Sequence, residues 1–217
     1  MLQPLVRRTW APRGERPVMY CWDRRDRLSV IAGLTLSALR RRIGLYFAIH
    51  RRNVKTPEVE AFIRQVRRQV GRPLVVVMDR LAAHRSAAKR LRGDERFVIE
   101  WLPAYAPDLN PVEPAWSQTK YTDLANYVPE DVLDLKIEAE LALEATKDKQ
   151  KLLRSFFHAA RLNPWTLAIF GAVIRGVLGS SHELTPTRGQ YLDFMFLKTS
   201  YFLGIFEHPQ MAKPHNP

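Results

Sequence analysis

The chain has 217 residues, 34 Lys and Arg against 22 Asp and Glu, a net charge of +12 and a pI near 10.2. That length suits one domain with an appendage or two small domains, and 46% hydrophobic residues supply a core. A single cysteine, Cys21, excludes an intrachain disulfide and fits a reducing compartment, and the six histidines show no zinc-like spacing with it.

In chain order, residues 5–27 are rich in Arg, Pro and Trp and read as loops or a short hairpin. Residues 28–36 and 43–49 are apolar, strand-compatible runs joined by about six residues, which predicts an antiparallel hairpin with Arg40, Arg41 and Arg42 at its tip. Thr56, Pro57 and Glu58 read as N-cap, first position and first-turn acid of a helix. Val59, Phe62, Ile63, Val66 and Val70 recur at helical spacing on one face, Arg64, Arg67 and Arg68 lie opposite, and Gly71 is a stop. Residues 74–78 form a continuous apolar run with three valines, as in a strand buried on both faces. A short helix over 86–91 ends near Gly93, and residues 97–102 read as the next strand.

Pro103, Pro107 and Pro111 stiffen the following loop. Helices are predicted over 111–124, 130–143 and 150–160, the last with an apolar face of Leu152, Leu153, Phe156 and Phe157. From Asn163 onward charges thin out and Phe, Tyr and Leu gather without clear period. The strand-helix alternation predicts an α/β fold. Residues 1–9 lack the apolar core of a signal peptide, and the apolar stretch 165–178 is interrupted by Arg175 and too short to span a bilayer. The expectation is a soluble cytoplasmic protein with no membrane partner.

Charge is unevenly spread. Residues 1–100 carry 23 Lys and Arg against 9 Asp and Glu, a net of +14, and residues 101–163 carry 7 against 10, a net of −3. A basic half beside a mildly acidic helical part suggests a face for a polyanion, with a solubilising surface as the plain alternative.

Two carboxylates stand out. Asp79 ends an apolar strand, where α/β folds place chemistry, and a carboxylate there can hold a hard divalent cation; it also serves as an ordinary turn residue. Glu113 follows 34 positions later, in a segment that equally reads as a capping-box helix start led by Asn110, with Pro114 sitting uneasily in it. His84 lies five residues after Asp79, where it could touch a phosphate or steer a water, or simply pack. Trp116, three residues after Glu113 on the same helix face, reads as core.

Together these residues resemble the catalytic domain of DDE transposases, in particular bacterial insertion-sequence members of the mariner-like superfamily. The second acidic motif of that family, an apolar run followed by Asp-x(4)-His, is matched by residues 75–79 and His84. The third is matched at Leu102, Pro103, Tyr105, Pro107, Leu109, Asn110, Pro111, Val112, Glu113 and Trp116. Residues 7–14 and 25–31 are also similar to the family, and the resemblance covers roughly residues 2–162. Arg80 stands where many relatives have Asn.

The resemblance implies an RNase H-like mixed sheet with flanking helices, extra C-terminal helices and an irregular tail, divided as a catalytic domain over 1–163 and a tail of unknown role over 164–217. It implies DNA transposition: metal-dependent phosphodiester cleavage and strand transfer with two Mg²⁺ or Mn²⁺ ions. Asp79 and Glu113 would be catalytic and metal-binding, His84 and Asn110 auxiliary, and Arg7, Arg8, Arg13, Arg80, Arg85 and Lys120 DNA-binding. The implied partners are DNA (transposon ends and target) and a homodimer or a full-length transposase, with no small-molecule cofactor. A nucleoid-bound location follows.

The family's first Asp lies on a central first strand, just before the segment at Arg7, and this chain begins after it. Asp23 and Asp26 fall at the approach to the second strand and do not replace it. The expectation is therefore a truncated domain lacking its central strand and its first catalytic acid, inactive alone; the alternative is a non-catalytic DNA-binding or oligomerising remnant. A less favoured way to fill the gap is the strand-like segment 190–197, which carries Asp193 and would have to pair with 28–36.

Overall fold

Apolar alternation makes the first pair of strands, β1 (Arg27–Ser37) and β2 (Arg42–His50), which join antiparallel from Ser29 against His50 to Ser37 against Arg42. The computed structural model describes residues 10–15, 27–37, 42–163 and 193–203; Arg7, Arg8, Cys21, Asp23, Asp26 and the apolar stretch 165–178 lie outside them.

Helix α1 (Thr56–Val70) begins one residue earlier than the Thr56 cap implies. Lys55 takes the cap position, Thr56 and Pro57 are already helical, and the Glu58 carboxylate accepts from the Lys55 N–H at 2.9 Å. Gly71 closes the helix with φ 75, the left-handed backbone that glycine adopts without Cβ strain. Strand β3 (Leu74–Met78), helix α2 (Ala82–Leu91) and strand β4 (Phe97–Trp101) follow, with β3 and β4 parallel.

Beyond the proline loop, α3 (Val112–Gln118) is shorter than the helix predicted to run to Leu124: the chain widens into a π turn over Thr119–Asp123. Helices α4 (Val132–Lys147) and α5 (Gln150–Ala159) complete the helical part. No helix among the described residues is long and apolar enough to cross a membrane.

The tail, expected to be irregular, contributes β5 (Asp193–Leu203). This strand lies in the middle of a five-stranded mixed sheet of order β2-β1-β5-β3-β4. It pairs antiparallel with β1, Leu36 against Phe194 through Arg27 against Leu203, and parallel with β3, Leu74 against Asp193 through Met78 against Leu197. The slot expected to be empty is thus filled from the far end of the chain. From Phe194 to Leu197 its ladder faces a partner strand on both sides, as buried backbone requires.

Strand alternation divides the core in two. Val30, Ala32, Leu34, Leu36, Val75, Phe194 and Phe196 face α3, α4 and α5, where Trp116, Leu143 and Phe157 receive them. Ile31, Val76, Met78, Met195 and Leu197 face α1 and α2, against Phe62, Ile63 and Leu91. The fold is an RNase H-like α/β/α arrangement: a mixed sheet flanked by helices on both faces. Gly33 lets β1 approach β5 closely, since a Cβ there would stand 2.7 Å from the Met195 methyl carbon.

Candidate active site

Strand parity determines what gathers at the carboxyl end of β3. Asp79 is two residues beyond Val77 and four beyond Val75, so its side chain is directed to the α3 side of the sheet. Lys198 lies one step past the Met78–Leu197 pair, beside Asp79. It shares its parity with Phe194 and Phe196, so it points to the same side, and its partner on β1 is the small Ala32. Thr199 has the opposite parity and points toward α2.

Glu113 arrives from the proline loop. That loop makes a 3-10 turn over Pro107–Leu109, and the Asn110 N–H donates to the Pro107 carbonyl at 2.8 Å. The buried Asn110 side chain works in two directions. Its Oδ1 accepts from the Val112 N–H at 3.1 Å, and its Nδ2 donates to the Leu197 carbonyl of β5 at 3.1 Å, where the pairing with β3 ends. Only half of the expected capping box forms: Asn110 Oδ1 caps the first N–H of α3, but the Asn110 N–H goes to Pro107 and the Glu113 carboxylate is engaged by Lys198 instead. The loop is thereby fastened to the sheet, and Glu113 is delivered to the middle of β5, beside Lys198, where β3 ends. Tyr105 projects fully exposed from the same loop with a left-handed backbone, φ 57.

The three charged groups meet. The Lys198 ammonium donates to Asp79 Oδ2 at 3.0 Å and stands 2.9 Å from Glu113 Oε1. Burial works against the ammonium's charge, but hydrogen bonds to Glu113 and Asp79 outweigh it and raise its pKa. On its other oxygen Asp79 accepts from the Leu81 N–H at 3.1 Å and from His84 Nδ1 at 2.6 Å. A carboxylate only accepts, so Nδ1 carries the proton. His84 Nε2 meets the Thr199 hydroxyl at 2.8 Å, and the ring is wholly buried. Burial pushes the Asp79 carboxyl up, but the bonds from His84, Lys198 and the Leu81 N–H prevail and hold it far below the usual carboxylate range. A cleft of ≈ 570 Å³ lined by Asp108, Glu113, Ser117, Gln118, Tyr121 and Arg161 opens beside Glu113.

The remaining sequence candidates fall in different places. Arg13, Arg80 and Arg85 are exposed, the latter two close in sequence to Asp79. Lys120 turns inward instead and donates to the Ser200 hydroxyl at 3.1 Å; burial lowers its pKa and the charge of Glu113 partly offsets that. Asp193 sits at the start of β5, against Leu74. Five residues separate it from Lys198, about 16 Å of strand, so it adds no carboxylate to this cluster. Lys198, Thr199 and Ser200 carry no local motif; only the register of β5 brings them here.

A divalent ion such as Mg²⁺ needs near-octahedral oxygen ligands. Among the described residues no group of three His, Cys, Asp or Glu is placed to hold a metal. Both Asp79 oxygens are engaged, and an ammonium lies between the two carboxylates. As folded, the described residues do not fit the pair of metal ions that the sequence resemblance implies.

Compared with known families, the chain matches one described as DDE superfamily endonuclease over residues 1–136. No curated protein and no solved structure matches the chain.

Proposed function

The chain belongs to the DDE superfamily endonuclease family, and on that premise we propose that it is the DNA-acting domain of a bacterial, mariner-like insertion-sequence transposase whose acidic site, as folded here, does not cut DNA. Members of this family act on DNA and generally use divalent metal ions. Residues 1–163 form the transposase-type domain in this reading, and 193–203 complete its sheet. Asp79 and Glu113 are its acidic pair, held together by the Asn110-fastened loop and by the His84–Thr199 support behind Asp79. The observation that carries the reading is the meeting of these two carboxylates around Lys198, with no third acid beside them among the described residues.

A domain of this kind retains DNA affinity without strand cleavage. It would act in the cytoplasm on nucleoid DNA, as a homodimer or alongside a full-length transposase, and would compete with that enzyme for DNA. The test is a cleavage assay on supercoiled plasmid with Mg²⁺ or Mn²⁺, run beside a binding titration on a labelled duplex. Binding without nicking above background is the expected result. Metal-dependent nicking that disappears in Asp79→Asn would overturn the inert-site reading, and absence of duplex binding at low salt would overturn the DNA reading.

A further inference from the structure

The mismatch between the acidic pair and a metal site has a specific author in the chain, Lys198. Its strand supplies apolar side chains to both faces of the sheet from Phe194 to Leu197, all nearly inaccessible, and then turns polar at Lys198, Thr199 and Ser200. The change falls at the level of Asp79, where β3 ends. Each polar side chain has a partner there: Lys198 both carboxylates, Thr199 the His84 ring, Ser200 the Lys120 ammonium. Such matching on both sides of one strand fixes the register and holds the ammonium between the acids.

We propose that the Lys198 ammonium is a tethered cation that occupies the Asp79–Glu113 site in place of a divalent ion, and that exchanging this one side chain for a carboxylate turns the same pocket into a divalent-metal site. The charge argument is direct. Asp79 and Glu113 carry two negative charges facing one point, and a cation at that point relieves their repulsion. The lysine supplies it from within the chain, so it is always present at full local concentration and does not dissociate, and a free ion must displace it. Displacement would leave an ammonium half-buried beside a dication, with Lys120 facing Glu113 as well. With Asp at 198 the same strand position, flanked by Ala32 on one side and Asp79 on the other, directs a third carboxylate to the point where the other two converge. Three oxygen-donating groups at one point, in a place where Asp79, Glu113 and position 198 are all partly exposed, suit a hard divalent cation.

The inference rests on reading Asp79 and Glu113 as a convergent pair, and its test uses no DNA, so its failure and a failure to bind or cut DNA are separately visible. Mn²⁺ binding is followed by the loss of the free-ion electron paramagnetic resonance signal, with folding of every variant checked by circular dichroism. The wild-type chain is expected to leave millimolar Mn²⁺ free, Lys198→Asp to bind at least about tenfold more tightly, and Lys198→Met, which keeps the stem without the charge, to lie between. Asp79→Asn added to Lys198→Asp should abolish the gain. Wild-type binding as tight as that of Lys198→Asp overturns the proposal, as does a folded Lys198→Asp that binds no more tightly than wild type. A measurement independent of variant folding is the ¹⁵N–¹H spectrum of the wild-type lysine ammonium groups. One slowly exchanging ammonium, unchanged by millimolar Mg²⁺, is expected; its disappearance on adding Mg²⁺, or its absence throughout, counts against a held cation.

Discussion

At the residue scale, the position of Asp79 depends on a buried relay running through the sheet. Thr199 holds His84, His84 holds one oxygen of Asp79, and Lys198 holds the other. His84 is fully inaccessible, so Nε2 has no water to fall back on. Thr199→Val keeps the side-chain shape but removes the hydroxyl, leaving a buried ring nitrogen unsatisfied, and should lower unfolding free energy by about 1–3 kcal/mol. Urea denaturation measures it; an unchanged midpoint would mean that the ring is satisfied elsewhere. Asp79, His84, Asn110 and Glu113 were legible in the sequence because each lies in a short motif with fixed spacing. Lys198 was not, because a lysine in an apolar tail announces nothing until the strand's register shows which face it takes and what stands opposite.

At the element scale, β5 determines whether the sheet is one body. It joins the β1–β2 hairpin to the β3–β4 parallel pair, which do not touch each other in the strand order. Phe196 is its main anchor, 4% exposed and edge-on to Phe157 of α5 at 5.6 Å between centroids. Phe196→Ala should cost about 3–5 kcal/mol, read as a shift of the urea midpoint with unchanged slope; a shift within error would place this strand outside the core in solution. The hairpin, α1 and β3 were predicted nearly to their ends because they rest on local alternation or helical period. The pairing of β5 with β1 rests on contacts more than 150 residues apart, and no local pattern encodes a partner at that distance. The start of β4 has its own clasp: Asp94 accepts from Arg96 at 2.7 Å through two nitrogens and from Arg64 of α1 at 3.0 Å. The Arg96 side chain foremost, with its backbone N–H and Arg64, outweighs the opposing effect of burial and holds the Asp94 carboxyl below the usual range. A depressed folded-state pKa stabilises above the unfolded value near 4, and that contribution fades as pH falls below it. Asp94→Asn should therefore lower the melting temperature at pH 7 and converge on wild type toward pH 2, as differential scanning calorimetry would show.

At the scale of the whole molecule, the two helical layers differ in sign. The stretch 56–92, holding α1, β3 and α2, has nine Lys and Arg against three Asp and Glu, while 112–159, holding α3 to α5, has six against nine. On α2, Arg85 and Lys89 are exposed one turn apart, with Arg80 before the helix and Arg92 after it. This row begins beside Asp79, so a polyanion lying along it passes the acidic pair. A row of exposed cations on the protein surface meets the phosphate backbone first, so affinity should be similar for unrelated duplexes and fall steeply with salt. Each phosphate contact contributes about 0.9 to the slope of log affinity against log salt on duplex DNA. The double change Arg85→Glu with Lys89→Glu should then reduce the slope by about 2 and weaken binding at every salt concentration. Lys136→Glu with Lys149→Glu, on the acidic layer, removes as much positive charge from the molecule and should leave the slope nearly unchanged. Fluorescence anisotropy of a labelled duplex across a salt series separates the two. Equal losses from both pairs would mean that net charge alone draws the DNA, and that no face of the protein is set aside for it.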